Sequence, residues 1–403
     1  MLSSADLLIW QRLEYDMKMT HDQQFILSVI RESILGNGTP EDLCGVDDPA
    51  TVAETIKKNG ILLTVFPAIL SRKADNESTG KLCSILLPEY IKATVRANSQ
   101  ISAGKVILDA LSGEGFDCIP LKGWELRRLY PDGVGRQMAD LDILIRPYRF
   151  GQLKKAMERV GFTGKQEVNW MHDNFSKGTV LVEVHKRLED DSGVKKDWEK
   201  RMWERAIPEQ NHVYRMSAED FYVFHLSHMY KDFRNGALGL RRVIDTWLLK
   251  NRPMAEELVV AELEKMGLGT YRTKMEKLAC VVMGEAIPDE DSLVLLQHAF
   301  RYGIYGSAKA YKAGRIVSMS RGSGLSQGKH NSFLAAVFLP LNRMKAQYPA
   351  LEKRPILLPW YWARRIAHYT FQKNVKDKLK MLDYREVNEE DYNEMKRFFE
   401  AGE

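Results

Sequence analysis

Cysteine is scarce in this chain: Cys44, Cys83, Cys118 and Cys280 are the only four in 403 residues, and no two stand in a C-x-x-C spacing. Such spacing gives no sign of a disulfide framework or a thiolate zinc site, and reduced thiols in a cytoplasmic setting are the simplest account. Long apolar runs are also missing. The most apolar late stretch, Phe333 to Leu341, is far too short to cross a bilayer, so no membrane span is expected. The first residues, MLSSADLLIWQRLEYD, carry an early acid and no basic segment ahead of an apolar run, which does not read as a signal peptide. Walker A, G-x-S-x-G and H-E-x-x-H sequences are absent too, which disfavours kinase and hydrolase chemistry. Charge of one sign is not in large excess. A net +5 permits an acidic substrate such as a nucleotide or RNA without demanding one.

With 44% hydrophobic and 28% charged residues, the chain can bury the cores of two or three domains. Helical periodicity runs through Ala5 to Met17, Gln23 to Leu35, Ala50 to Lys58 and Pro88 to Leu111, with breaks at Gly36-Asn37-Gly38 and Asp47 to Pro49. Strand-like segments lie between Gly115 and Arg187, with a helix over Tyr148 to Val160 closed by Gly161. Beyond them the capping sequence Ser217-Ala218-Glu219-Asp220 opens a run of helices, which a Gly/Ser-rich loop from Ser320 to Gly328 interrupts. No internal repeat is visible.

The chemistry concentrates in Leu121 to Pro147, LKGWELRRLYPDGVGRQMADLDILIRP. Asp140 and Asp142 stand at i and i+2 of an apolar strand and share one face, while Leu141, Ile143 and Ile145 take the other. Two buried like charges need compensation, and a divalent cation would supply it. The alternative is a half-buried edge strand whose aspartates are solvated or paired with Arg127, Arg128 or Arg136. Upstream, FDCIPLK (Phe116 to Lys122) reads as a strand ending at Gly123, followed by a helix over Trp124 to Tyr130 that Pro131, Asp132 and Gly133 stop. The free N–H groups opening that helix, with Lys122 beside them, offer a place for a phosphate.

A third acid lies in TVLVEVHKR, Thr179 to Arg187, where Val180, Val182 and Val184 share one face and Leu181, Glu183 and His185 the other. If this strand pairs beside the Asp140 strand, Glu183 completes a carboxylate cluster able to hold metal or accept a proton from an attacking hydroxyl. Otherwise Glu183 is a charge paired with Lys186 or Arg187.

Together the LKG sequence, the helix ending in LYP, Arg136, the D-x-D strand and the later V-E-V-H resemble the bacterial uncharacterised nucleotidyltransferase family of the DNA polymerase β-like superfamily. The likeness extends through His225 to Leu249 and on to Tyr348 to Arg365. It implies an α+β fold with a small mixed sheet backed by helices, and the periodicity along the chain places that core over residues 101–210, a helical region over 1–100 and another over 211–403. It also implies Mg²⁺ or Mn²⁺ held by Asp140, Asp142 and Glu183, and a nucleoside triphosphate bound near Lys122, Gly123 and Arg136. The family's usual Gly-Ser or Gly-Gly turn is replaced here by Gly123-Trp124, with a longer spacer to Asp140; Lys122 and Arg136 are expected to supply the missing positive charge.

The expected function is transfer of an NMP from an NTP to an acceptor, which can be RNA, protein or a small molecule, with release of pyrophosphate. Removing either aspartate should abolish transfer and leave thermal stability unchanged or raised. The competing reading is a catalytically degenerate copy of the fold that binds a nucleotide or a partner. Outside the acidic segments, His225 and His228, three apart on one helix, are expected to pack or hydrogen bond rather than ligate metal. Lys231, Arg234, Arg241 and Arg242 form a solvated face, unless the helical region closes over the acidic strand and lends one or two of them to the triphosphate. Trp360, Tyr361, Trp362, Arg364 and Arg365 are expected to bury against a C-terminal helix, with base stacking or a membrane surface as alternatives.

Overall fold

The computed structural model describes residues 18–36, 45–72, 76–131, 135–166, 171–188, 193–320, 322–341, 344–345, 348, 350–370 and 383–403. The helix expected over Ala5 to Met17, Cys44, Asn37-Gly38 and the stop at Asp132-Gly133 lie outside them.

Four helices come first: α1 (His21–Leu35), α2 (Pro49–Lys58), α3 (Leu62–Ser71) and α4 (Glu77–Gly113). Of these, α1, α2 and α4 start at side-chain caps from Thr20, Asp48 and Asn76. Helix α4 is longer than expected and carries Pro88 in its interior. Thr79, Leu82, Cys83 and Leu86 bury at helical spacing ahead of that proline, so their packing outweighs the lost backbone hydrogen bond. The helix passes residue 100 without a break.

Then β1 (Asp117–Pro120) leads into a one-turn helix α5 (Gly123–Leu126) and a 3₁₀ turn over Arg127–Leu129. Strand β2 (Leu141–Arg146), α6 (Phe150–Arg159), β3 (Thr163–Lys165), β4 (His172–Lys177) and β5 (Val180–His185) follow, then α7 (Gly193–Glu204), β6 (Ile207–Gln210) and β7 (Val213–Arg215). The strands form one mixed sheet in the order β3-β4-β5-β2-β1-β7-β6. Central β2 is antiparallel to β1 and parallel to β5. Strand β4, too polar to stand out in the sequence, pairs antiparallel with β5 along its length.

Period-2 alternation divides the sheet between two cores. Leu141, Ile143 and Ile145 of β2 and Val180, Val182 and Val184 of β5 pack with Ile107, Leu108 and Leu111 of α4 and Leu153, Ala156 and Met157 of α6. Leu144 turns the other way, into the larger cluster built from the helical regions. The face that carries the acids is therefore roofed by helices rather than left to solvent.

The roof is α8 (Ala218–Phe233) and α9 (Leu240–Lys250), continued by α10 (Glu256–Lys265), α11 (Gly269–Val282), α12 (Glu290–Tyr302) and α13 (Ala308–Ser320). Ser217 caps α8 by accepting from the Asp220 N–H. The Gly/Ser loop is shorter than expected, because α14 (Leu325–Val337) begins right after Gly324. Helices α15 (Ala350–Lys353), α16 (Leu358–Thr370) and α17 (Glu389–Gly402) complete the described chain. Tyr361 buries in a small cluster with Met344 and Leu351, whereas Trp360 stays 56% exposed, so the aromatic patch divides between packing and solvent. None of the described helices is long and apolar enough to cross a membrane.

Candidate active site

The parallel register of β2 and β5 sets Asp142 beside Glu183 and Leu144 beside His185. Pairing of β1 with β2 continues past Pro120 through a bond from the Leu121 N–H to the Asp142 carbonyl, which brings Lys122 next to Asp142. Lys122 Nζ donates to Asp142 Oδ1 at 2.6 Å, and His185 Nε2 lies 2.8 Å from the same oxygen. Burial opposes ionisation of Asp142, but Lys122 and His185 outweigh it and hold the carboxyl well below the usual range. Lys122 and His185 thus balance the charge of Asp142 from within the protein. Lys122 also sits at φ 44°, a backbone region that L residues rarely adopt, so the turn presenting its side chain is strained.

Asp140 lies one step before β2 and is part-buried. Among the described residues none donates a hydrogen bond to it or forms an ion pair with it, and burial together with the charge of Asp142 pushes it up to about 6. The arginines expected as alternative partners are engaged elsewhere. Arg127 stacks over Trp124, Arg128 bonds Glu125 and Glu209, and Arg136 forms a buried bidentate pair with Asp245 at 2.7 Å on both prongs. Tyr130 adds a bond to the same Asp245.

Glu183 shares the face of Asp142 but meets histidines: His172 at 3.7 Å and His185 at 3.5 Å. Its carboxyl is lowered, chiefly by the hydrogen bond from His185. Lys186, one of the two expected alternative partners, pairs with Asp173 at 2.9 Å. His172, Glu183 and His185 each bring one potential ligand atom within 4.8 Å of the others. His172 escapes notice in the sequence because its strand, HDNFSK, shows only Asp173 and Phe175 as a weak buried alternation.

A cavity of about 460 Å³ opens between this end of the sheet and the roof, within the size range of small-molecule sites. Asp140, Asp142, Lys122, Gly123 and Arg136 line it from below, and His225, His228, Asp232, Arg241, Arg242 and Asp245 from α8 and α9. Glu183 does not reach its wall. Gly123 is needed here by close approach, since a Cβ would fall 2.6 Å from Met138 Cγ and 2.8 Å from Arg136 Nη1. His225 bonds Thr246 at 2.8 Å and burial pushes it down to about 4, a packed neutral imidazole as expected. The basic cluster divides: Arg241 and Arg242 face the cavity, while Arg234 pairs with Glu403 and Lys231 is exposed.

The expected phosphate seat at the helix start is weaker than its sequence suggests. Helix α5 has one turn, so few peptide dipoles add, and the Trp124 N–H is already taken by the Leu121 carbonyl at 3.1 Å. Buried Tyr130, tied to Asp245, turns the chain before a second α-helical turn can form.

A hard cation suits the oxygen donors of this cavity: Asp140 is a carboxylate without a partner among the described residues, raised by burial and by its ionised neighbour Asp142, and a cation beside it would relieve both effects. No curated protein and no solved structure matches the chain. The model of a family described as uncharacterised nucleotidyltransferase matches residues 46–279, which takes in α2 to α10, most of α11 and with them the acidic strand and the cavity wall up to Asp245. With this match over more than half of its length, the chain belongs to the uncharacterised nucleotidyltransferase family.

Proposed function

We propose that the chain transfers an NMP from an NTP to an acceptor hydroxyl with release of pyrophosphate, and that Asp140 and Asp142 hold Mg²⁺ or Mn²⁺ for this step. The observation that carries the reading is that both aspartates open into one cavity with Lys122, Arg136, Arg241 and Arg242, carboxylates for a cation and cations for phosphates. In the reaction the acceptor oxygen bonds to the α-phosphorus, the bond from that phosphorus to the α–β bridging oxygen breaks, and pyrophosphate leaves with that oxygen. A bound Mg²⁺ or Mn²⁺ supplies charge neutralisation at the attacking and leaving oxygens.

The residues do the rest. Asp142 stays ionised through Lys122 and His185, so it is a ready ligand at neutral pH. Asp140, raised to about 6, is mostly ionised at neutral pH and joins it as a second carboxylate ligand. Glu183, beside Asp142 in register but behind the cavity wall, takes the acceptor proton through His185, whose Nε2 lies 2.8 Å from Asp142 Oδ1 and 3.5 Å from Glu183. Arg136 is oriented by Asp245 and sets the cationic wall behind Gly123.

The test incubates the protein with each α-labelled NTP, Mg²⁺ or Mn²⁺ and a cell extract as acceptor pool, beside Asp140→Asn and Asp142→Asn. Label should enter RNA, protein or a small molecule only with the wild type, on the order of a hundredfold or more above either variant. Equal transfer by both variants would overturn the proposal. A second reading, a nucleotide-binding module without turnover, draws on the Lys122 ammonium seated on Asp142 Oδ1, where a cation ligand is wanted. It predicts NTP binding with no transfer in any fraction.

A further inference from the structure

The charged groups that line the cavity fall into pairs with one exception of each sign. Lys122 bonds Asp142, Arg136 bonds Asp245, and Arg242 forms an ion pair with Asp232. Two ionisable groups are left over: Asp140 and Arg241. Arg241 forms no ion pair among the described residues, yet it is 9% exposed and lines the same cavity. Its Nη1 donates to the Gln137 carbonyl at 2.7 Å, which fixes the guanidinium, while its buried Nε has no hydrogen-bond partner among the described residues. A buried guanidinium with neighbours Arg136 and Arg242 of like charge is costly, and burial together with those neighbours pulls it down to about 10.

A hidden, oriented arginine and a carboxylate in one cavity, neither of them in an ion pair among the described residues, are a place for a ligand that carries both a cation and an excess of negative charge. A metal-chelated polyphosphate is such a ligand. Chelation places the cation at the carboxylates, and the oxygens left outside it need a separate donor fork. Resting on the nucleotide reading of this cavity, we propose that Arg241 is the anchor of the polyphosphate tail, the part of the substrate that leaves as pyrophosphate. Arg241 is then a substrate-binding residue that discriminates a triphosphate from a monophosphate.

The experiment measures binding of an NTP, the matching NMP and inorganic pyrophosphate, each with Mg²⁺, to the full chain and to Arg241→Gln, Arg241→Lys and Lys231→Gln. The exposed Lys231 lies outside the cavity and serves as a charge-matched control. Arg241→Gln should weaken NTP and pyrophosphate by about thirtyfold or more and NMP by less than about threefold. Arg241→Lys, which keeps charge but loses the fork, should fall between, and Lys231→Gln should match the wild type. A purely structural arginine would weaken all ligands alike, and that result, or unchanged NTP binding, overturns the inference while leaving nucleotide binding by the wild type intact. If Arg241→Gln does not fold, Arg241→Lys carries the same comparison. Pyrophosphate bound through Arg241 without NTP binding would uphold the anchor and remove the nucleotide reading; a wild type that binds neither removes both.

Discussion

Asp140 and Asp142 are two residues apart and differ in what surrounds them. Asp142 is held ionised by Lys122 and His185, whereas Asp140 is raised to about 6 with no hydrogen-bond donor among the described residues. By spacing alone the two look equivalent, and the structure separates the outcomes of removing each. A carboxyl whose folded pKa exceeds its unfolded value stabilises the fold while protonated, and that contribution is lost as the pH rises from about 4 to about 6. In metal-free protein at pH 7, Asp140→Asn should therefore raise stability, by on the order of 1–3 kcal/mol, and the gain should vanish near pH 4. Asp142→Asn should instead cost about 2–5 kcal/mol, because it leaves part-buried Lys122 and buried His185 without their carboxylate. Urea unfolding of both variants across this pH range decides the matter; shifts of the same sign at pH 7 would refute the assignment.

At the scale of elements, the acidic loop is fastened to α9 of its roof by a buried tie, Arg136 and Tyr130 on Asp245, and by the bond from Arg241 to the Gln137 carbonyl. Removing one member of a buried pair leaves the other charge unpaired, so Asp245→Ala should lower stability by about 3–5 kcal/mol. Burial works against ionisation of Asp245, but Arg136 outweighs it and holds the carboxyl below its ordinary value. The contribution of the tie is thus complete above the unfolded value near 4 and is lost as the pH falls through the lower folded value. Beneath the sheet, a Cβ at Gly104 of α4 would run into the Trp124 ring. Gly104→Ala should cost about 1–3 kcal/mol and should disturb the turn that presents Lys122, which a urea melt and NTP affinity would show together. The same elements separate what is legible in the sequence from what is not. Strands β2 and β5 and the cap of α8 are readable because alternation and capping are local signals, and the Asp142–Glu183 register makes the two strands neighbours. Strand β4 and its His172 are not, since their burial comes from pairing with β5. Nor is Asp245 as the partner of Arg136, because the two are joined by tertiary packing alone.

Across the whole molecule, the C-terminal helix α17 returns to the roof, where Phe398 stacks on His298 of α12 with centroids 3.6 Å apart. His298 Nε2 donates to the Gly236 carbonyl at 3.0 Å, and its buried Nδ1 has no partner among the described residues, so a second proton would find none of them to bond. Burial pushes this imidazole down to about 4. The unfolded chain binds a proton near 6.5 and the folded chain does not, so stability should decline as the pH falls from about 6.5 to about 4, by roughly 3 kcal/mol. His298→Asn, measured by urea unfolding, should flatten that part of the profile; an unchanged slope would place the titration elsewhere. Charge in the cavity also acts at this scale. Four cations (Lys122, Arg136, Arg241, Arg242) and four carboxylates (Asp140, Asp142, Asp232, Asp245) line it, so its wall is neutral overall when all are ionised. A neutral wall casts little field into solvent and draws no polyanion from a distance. Nucleotide affinity should therefore change little with ionic strength, and an RNA acceptor would have to be gripped by some other surface of the chain.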